Sequence, residues 1–168
     1  AVVYVERCNP ALLEMRKRLA EGQLGDVYQV VTRRQSPFPA RISDVGVVKD
    51  LATHDVDLAA WVAGSEYKEI YAQTAHRSGR EHEDMVVASG SFKNGVLVNH
   101  LVNWLTPFKD RTTIVTGEHG ALVADTAMGD LTFYENGDMP LQWDQIAAFR
   151  GVSEGTVTRY ALAKREPL

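Results

Sequence analysis

Apolar residues recur at every third or fourth position in two segments of the first half of the chain, which is the spacing of one helix face. The first segment covers residues 10–21, where Asn9 is a favoured N-cap, a proline suits the first helical position and Gly22 ends the pattern. The second covers residues 50–63 and stops at Gly64. The pattern therefore predicts two amphipathic helices.

Strand patterns fill most of the remaining sequence, because polar and apolar residues alternate or apolar residues form short runs. Asn94-Gly95 and Asn136-Gly137 favour the tight turns of hairpins. No repeat, low-complexity tract or linker divides the chain, so a single domain is predicted over residues 1–168. Its predicted fold class is α+β, an open and mostly antiparallel sheet with helices on one face. The predicted strands are residues 1–5, 27–34, 67–76, 85–93, 96–105, 111–117, 121–125, 131–135 and 156–163.

Composition and charge exclude several classes of function. Of the 168 residues, 45% are hydrophobic and 24% are charged, which is the composition of a folded globular domain. A net charge of -4, with no basic cluster beyond residues 16–18, argues against a nucleic-acid partner. No apolar run is long enough to span a membrane, and the N-terminus lacks the features of a signal peptide. The cytoplasm is therefore the expected compartment.

The single cysteine and the chain ends add two smaller expectations. Cys8 has no partner for an internal disulfide and is expected to be a small buried residue. The chain opens on apolar strand residues without an initiating Met, and it stops at residue 168 just after a predicted strand. We therefore expect a fragment that is truncated at both ends.

Residues 36–46 carry two prolines and a glycine, which excludes a helix or a regular sheet ladder there. The segment is therefore predicted to be a loop. It lies between the first strand of the sheet and the second helix, which is a position suited to lining a site.

The start of the second helix carries the side chains best suited to catalysis. Asp50 and His54 are four residues apart, which on an α-helix places them on one face, one turn apart. Histidine can accept and return a proton near neutral pH, and a neighbouring carboxylate can orient the ring. The alternative is structural, since Asp50 also complements the helix dipole and His54 can pack beside apolar neighbours. Asp55 and Asp57 are interpreted as dipole and surface groups.

No metal site and no dinucleotide site is predicted. His54 followed by Asp55 resembles a pair found in metal phosphohydrolases, but those proteins are all-helical and need further ligands at set spacings. The remaining histidines show no metal-ligand spacing: His76, His82, His100 and His119. A GxGxxG motif is absent from the sequence, so the chain cannot bind a dinucleotide in the usual Rossmann manner by itself.

Several segments together resemble the C-terminal domain of the Gfo/Idh/MocA oxidoreductases. Their order and spacing match over most of the chain, and the block from Asp44 to Asp57 is the most specific. The loop and this block are most similar to members described as UDP-N-acetylglucosamine 3-dehydrogenases. The matching segments are Glu6-Arg7-Cys8-Asn9-Pro10, residues 37–41, residues 44–57, Asn103-Trp104-Leu105-Thr106-Pro107, residues 117–125 and residues 130–134.

The resemblance implies that His54 is the catalytic acid and base, that Asp50 is its partner, and that a sugar or nucleotide-sugar hydroxyl is oxidised by hydride transfer. It implies NAD or NADP as the cofactor, bound mainly by an N-terminal Rossmann domain that is absent from this chain. The isolated chain is therefore expected to be inactive. Arg41, Lys49 and Arg33 are weaker candidates for contacts with anionic groups of the substrate, and Arg33 is expected to face the same cleft.

The family's open sheet further implies a homodimer or tetramer formed through the sheet face. Apolar strands with few helices to cover them would leave one face in need of a partner. This feature also supports an alternative function, a non-catalytic dimerisation or ligand-binding module that keeps the fold and has lost the chemistry.

Overall fold

The computed structural model describes residues 5–137 and 154–162, and it confirms the predicted α+β fold. In these residues two α-helices and eight strands follow one another, together with a short 3-10 turn and a π-helical turn. Their bounds are 3-10 turn Val5–Cys8, α1 Pro10–Ala20, β1 Val27–Pro37, π turn Val48–Ala52, α2 Thr53–Ala63, β2 Tyr67–Ala75, β3 Met85–Phe92, β4 Leu97–Asn103, β5 Leu105–Gly117, β6 Gly120–Asp125, β7 Asp130–Asn136 and β8 Glu154–Tyr160.

All eight strands form one sheet in the order β2-β3-β4-β1-β5-β6-β7-β8. The β1–β4 pair is parallel and the other neighbours are antiparallel. The parallel pair is possible because the π turn, α2, β2 and β3 lie between β1 and β4 in sequence, which gives the chain room for a crossover. Val30, Thr32 and Arg34 of β1 are buried on the helix side of the sheet. The alternate residues of β1 face the open side, which no described helix covers.

Two apolar clusters hold the helices on the sheet. In the larger cluster, α1 and α2 pack on the centre of the sheet through residues such as Leu12, Leu58 and Val98. The smaller cluster fixes the loop before α2 and the π turn against β3 and β4. Burial of each large apolar side chain in these clusters contributes about 1.5–3 kcal/mol. Members of the smaller cluster are Ile42, Val47, Ala52, Val86, Val102 and Trp104.

The predicted helix signals are confirmed at both helices. The side chain of Asn9 accepts a hydrogen bond from the amide of Ala11 at 3.0 Å, and Pro10 is the first residue of α1. Gly64 ends α2 in the left-handed conformation, with φ of 63°, and its amide bonds to the carbonyl of Ala60. The Asn94-Gly95 turn between β3 and β4 is also confirmed, with φ of 88° at Gly95.

Other sequence expectations need correction or lie outside the described residues. Cys8 is exposed rather than buried, because the 3-10 turn that carries it contributes no residue to the core. Of the predicted first strand only Val5 is described, and it belongs to that turn. β5 begins at Leu105, six residues before the expected position, and its first part pairs with the end of β1. The turn predicted after Asn136 continues beyond residue 137, outside the described part.

A chain of polar groups crosses the core between the sheet and α2. His100 is 1% exposed, with Nδ1 2.6 Å from the Thr32 hydroxyl and Nε2 2.9 Å from the Tyr67 hydroxyl. Tyr67 has one hydroxyl proton and donates it to the carbonyl of Val56 at 3.1 Å. Nε2 must then donate to Tyr67, and Nδ1 accepts from Thr32. His100 is therefore neutral, and burial lowers its pKa from 6.5 to about 4.

Acid should destabilise the fold through His100. An unfolded chain protonates this residue below pH 6.5, whereas the folded chain does so only near pH 4. The unfolding free energy should therefore fall by about 3 kcal/mol between these two values. Urea unfolding at a series of pH values should show a shallower acid slope in His100→Gln than in wild type. The control His76→Gln changes an exposed histidine after β2 and should keep the wild-type slope. Equal slopes in all three proteins would contradict the account.

Candidate functional site

Asp50 and His54 lie at the entrance to α2, but on two different kinds of helical turn. Asp50 belongs to the π turn, where the amide of Thr53 reaches back to the carbonyl of Val48, whereas His54 belongs to the first turn of α2. A bond between residues five apart widens the turn relative to an α-helix. Both side chains are half-buried, and no hydrogen bond joins them in residues 5–137. Their placement on one face, one turn apart, therefore stays a prediction.

A buried ion network lies next to His54. Asp55 is 2% exposed, and it accepts a hydrogen bond at 2.9 Å from Nε of Arg34, which is 6% exposed. Arg34 also donates at 3.0 Å to Glu6 of the 3-10 turn. The interpretation of Asp55 as a surface group is therefore wrong. The reason is that Asp55 is on the side of α2 that meets β1, where Arg34 occupies a buried position.

Arg34 attracts both carboxylates of this network, whereas burial and the like charge of Glu6 act against the charge of Asp55. Burial disfavours the charged form of Arg34, but the carboxylates of Asp55 and Glu6 outweigh burial and raise its pKa. Burial also acts on Glu6, yet Arg34 keeps the pKa of this carboxyl group below its usual value. For Asp55 burial prevails over Arg34, and its pKa is raised. A positive charge on His54 acts on both carboxyl groups and lowers the pKa of each.

One oxygen of the network has no hydrogen bond in the described part of the chain. This atom is Oδ2 of Asp55, which is fully buried although Oδ1 is bonded to Arg34. A buried acceptor without a donor is rare in folded proteins. Arg34 therefore satisfies Oδ1 of Asp55, whereas Oδ2 lacks a hydrogen-bond donor in the described residues.

A second ion pair fixes the 3-10 turn to α2. Arg7 donates from Nε to Asp57 at 2.8 Å and also bonds Asp57 through a terminal nitrogen. Asp57, interpreted as a dipole and surface group, is partly exposed and ion-paired with Arg7. Glu6 bonds Arg34 of β1, and Arg7 bonds Asp57 of α2. The 3-10 turn is therefore tied both to the sheet and to the first turns of α2.

The three predicted basic residues lie in different parts of the fold. Arg41 lies exposed in the loop after β1, and Lys49 lies exposed on the π turn. Arg33 is on the open side of the sheet, 3.2 Å from a carboxylate oxygen of Asp110. The expectation that Arg33 faces the same cleft as His54 is corrected, because neighbouring residues of a strand point to opposite faces. Arg34, one residue further along, is the arginine that reaches the site.

The predicted loop forms a small pocket beside the helix entrance. β1 extends to Pro37, so the loop begins at Phe38. Arg80 packs over the rings of Phe38 and Trp104 and joins this loop to the segment between β2 and β3. The pocket is lined by Phe38, Ala40, Ile42, Ser43, Val45, Arg80, Glu81 and His82.

The described residues offer neither a metal centre nor a site for a dinucleotide pyrophosphate. No group of three or more His, Cys, Asp or Glu side chains there could hold a metal ion. α1 follows a 3-10 turn and α2 follows a π turn, so neither begins in the glycine-rich strand-to-helix turn that binds a pyrophosphate. A helix long and apolar enough to cross a membrane is likewise not found in this part of the chain.

Comparisons with known proteins agree with the fold. Residues 12–123 match the family model of the GFO/IDH/MocA C-terminal domain. Inositol 2-dehydrogenase 2 of Saccharopolyspora erythraea is 29% identical over 102 residues, which cover 58% of this chain and 30% of that protein. This chain thus spans less than a third of the length of that curated relative.

Among the solved structures that resemble the fold are two dehydrogenases. UDP-N-acetylglucosamine 3-dehydrogenase GnnA of Acidithiobacillus ferrooxidans has a TM-score of 0.75 at 23% identity, covering 97% of this chain and 48% of that one. The WlbA dehydrogenase of Bordetella pertussis, in complex with NADH and UDP-GlcNAcA, has a TM-score of 0.63 at 26% identity, covering 70% and 40%. With the family model matching most of its length, the chain belongs to the GFO/IDH/MocA family of oxidoreductases and represents its C-terminal domain.

Proposed function

We propose that this chain is the substrate-binding and catalytic half of an NAD(P)-dependent dehydrogenase that oxidises a hydroxyl group of a sugar or nucleotide sugar. The observation that carries the proposal is the position of His54. Its half-exposed imidazole lies at the entrance to α2, beside a buried network of Asp55, Arg34 and Glu6. A relative that acts on inositol and a similar structure with a bound nucleotide sugar support the substrate class.

In this proposal His54 accepts the proton of the substrate hydroxyl as the hydride leaves the same carbon. A positive charge then develops on the imidazole. The carboxylates of Glu6 and Asp55 attract that charge, as their interaction with His54 indicates. Asp50 is proposed to orient the ring or the substrate hydroxyl from the π turn. Fixing base and alcohol in line accounts for a large part of the rate in such reactions.

The cofactor is proposed to bind mainly to an N-terminal Rossmann domain of the whole protein. The resemblance to the family supports this proposal, and the described residues offer no pyrophosphate site of their own. When bound, the nicotinamide supplies the hydride acceptor. Whether NAD or NADP serves is decided by residues of that other domain. Arg41 and Lys49 remain proposed contacts for anionic groups of the substrate, since both are exposed near the helix entrance.

The proposal is tested by incubating the whole protein with NAD or NADP and a panel of nucleotide sugars, free sugars and inositol, and by following nicotinamide absorbance. Reduction with at least one member of the panel is expected. If the protein binds the cofactor tightly but no member of the panel reduces it, the substrate belongs to another chemical class. Absence of cofactor binding would favour the alternative, a non-catalytic module.

The whole protein is further proposed to form a homodimer or tetramer through the open face of the sheet. Large apolar side chains on that face are well exposed, among them Val87 (48%), Leu97 (55%) and Tyr134 (47%). Val87→Lys combined with Tyr134→Lys should shift the protein to monomers in light scattering. Ile70→Lys is the control, because Ile70 is 42% exposed but on the helix side of β2. An unchanged mass in the double variant, or an equal shift in the control, would contradict the proposed interface.

A further inference from the structure

The helical segment that carries Asp50 and His54 receives no cap from its own sequence. The residue that precedes the π turn is Val47, and no side chain at the cap position of the π turn or of α2 bonds to the helix. The free amides at such an end need acceptors, because they have no carbonyl partner within the helix. An acceptor must therefore come from elsewhere in the fold.

Glu83 supplies that acceptor from the segment between β2 and β3. Its side-chain Oε1 accepts a hydrogen bond at 3.1 Å from the amide of Val48, the first residue of the π turn. Its backbone carbonyl accepts a second bond at 2.9 Å from the amide of Val47. The negative carboxylate also complements the positive end of the helix dipole. One residue, 35 positions away in sequence, thus fixes two successive amides at the helix entrance.

Gly46 makes room for this carboxylate. A Cβ added at Gly46 would lie 2.0 Å from Oε1 of Glu83 and 2.1 Å from its carboxyl carbon. Since Gly46 does not have a positive φ, steric space is the reason for glycine here. The carbonyl of Gly46 in turn accepts the amide of Asp50 at 3.1 Å. The carboxylate of Glu83 therefore packs directly against Gly46, whose carbonyl fixes the backbone of Asp50.

The segment that carries Glu83 is itself firmly held. Asp84 is completely buried, and its carboxylate accepts hydrogen bonds from the amides of Arg77 and Ser78 and from the Ser78 hydroxyl. The backbone of Asp84 bonds on one side to Ala75 and on the other to Trp104. Because Asp84 anchors this segment, Glu83 reaches the helix entrance from a fixed backbone position.

We propose that Glu83 is a positioning residue for the reaction, which sets the place of Asp50 and His54 by capping their helix from the neighbouring segment. This inference rests on the proposed dehydrogenase function. Glu83 itself contacts backbone amides and takes no part in proton transfer. Loss of its side chain should let the π turn shift, and displacements of about 1 Å at a catalytic group can lower turnover roughly 100-fold.

The test compares Glu83→Ala with Glu83→Gln in the whole protein. Glutamine keeps an acceptor oxygen at the same distance, whereas alanine removes it and leaves the backbone bond to Val47 in place. Glu21→Ala is the control, an exposed glutamate at the end of α1, away from the helix entrance. We expect kcat to fall about 10- to 100-fold in Glu83→Ala, to stay within about threefold of wild type in Glu83→Gln, and to be unchanged in Glu21→Ala. The KM of the cofactor should not move in any of them.

Hydrogen exchange provides a readout that is independent of activity. Peptides covering residues 46–53 should exchange roughly five- to tenfold faster in Glu83→Ala than in wild type or Glu83→Gln, because a lost cap opens the helix end. Equal exchange and equal kcat in Glu83→Ala and wild type would overturn the inference. So would equal losses in the Ala and Gln variants. Faster exchange of peptides 46–53 in Glu83→Ala, in a protein whose wild type oxidises no substrate, would confirm the cap but contradict the proposed function.

A double variant tests the contact with Gly46. Gly46→Ala should displace the Glu83 carboxylate and lower kcat to a similar extent as Glu83→Ala. Combining the two should cost little more than either alone, because alanine at position 83 frees the space that the new Cβ needs. Losses that multiply in the double variant would contradict a direct contact between these residues.

Discussion

Replacing His54 with alanine in the whole protein is expected to lower turnover by about 100- to 10,000-fold, the usual contribution of a general base. The affinity for NAD or NADP should stay nearly the same, since the proposed cofactor site lies mainly in another domain. Steady-state kinetics with nicotinamide absorbance, together with cofactor binding by fluorescence, measures both quantities.

His76→Ala is the control for this experiment, because it removes an exposed histidine at the end of β2. It should leave turnover and cofactor affinity unchanged. Wild-type turnover in His54→Ala would remove the basis for assigning catalysis to this domain. A parallel loss of cofactor affinity would instead point to a changed fold, and circular dichroism distinguishes this outcome.

The second large effect concerns Arg34. Arg34→Met keeps a long apolar stem but leaves the buried carboxylate of Asp55 without its partner. Removing one member of a buried ion pair costs about 3–5 kcal/mol, so we expect a loss of that order in the free energy of unfolding. Urea unfolding of the chain measures it. Arg33→Met is a close control, because the Arg33 side chain is 41% exposed and its partly exposed pair with Asp110 should contribute only about 1 kcal/mol.

The pH dependence of the Arg34 effect has a definite sign. Asp55 already has a raised pKa because of burial, and Arg34 opposes that shift. Without Arg34 the folded chain should take up a proton at Asp55 at higher pH than the unfolded chain does, so the variant regains stability as the pH falls. Asp55→Asn in the Arg34→Met background should restore part of the lost stability at neutral pH. Equal stability losses in Arg34→Met and Arg33→Met would contradict the described network.

Local sequence signals predict those parts of the fold that depend on neighbouring residues. Asn9 and Gly64 mark the ends of the two helices because capping and left-handed conformations are determined by the residue itself. Alternation along β1 also places Arg34 on the same side as Val30 and Thr32, and that side is the buried one. An arginine in phase with buried residues is the signal that could have identified Arg34 as part of the site.

Contacts between distant segments were not predictable in this way. Arg34 and Glu6 are 28 residues apart in sequence, and the Glu83 cap on Val48 spans 35. Such contacts depend on how the sheet and the helix entrance are assembled, which periodicity does not encode. The π turn was also missed, since a segment of five residues is too short for its apolar spacing to distinguish it from an α-helix.

The most direct test of a catalytic His54 in a dehydrogenase is a single-turnover measurement of nicotinamide reduction. The whole protein, in excess over its best substrate and saturated with cofactor, is mixed rapidly, and wild type is compared with His54→Ala. The account predicts one rapid reduction step in wild type that slows at least about 100-fold in the variant, while bound cofactor remains the same. An equally fast step in both proteins would contradict it, because the proton acceptor would then lie elsewhere.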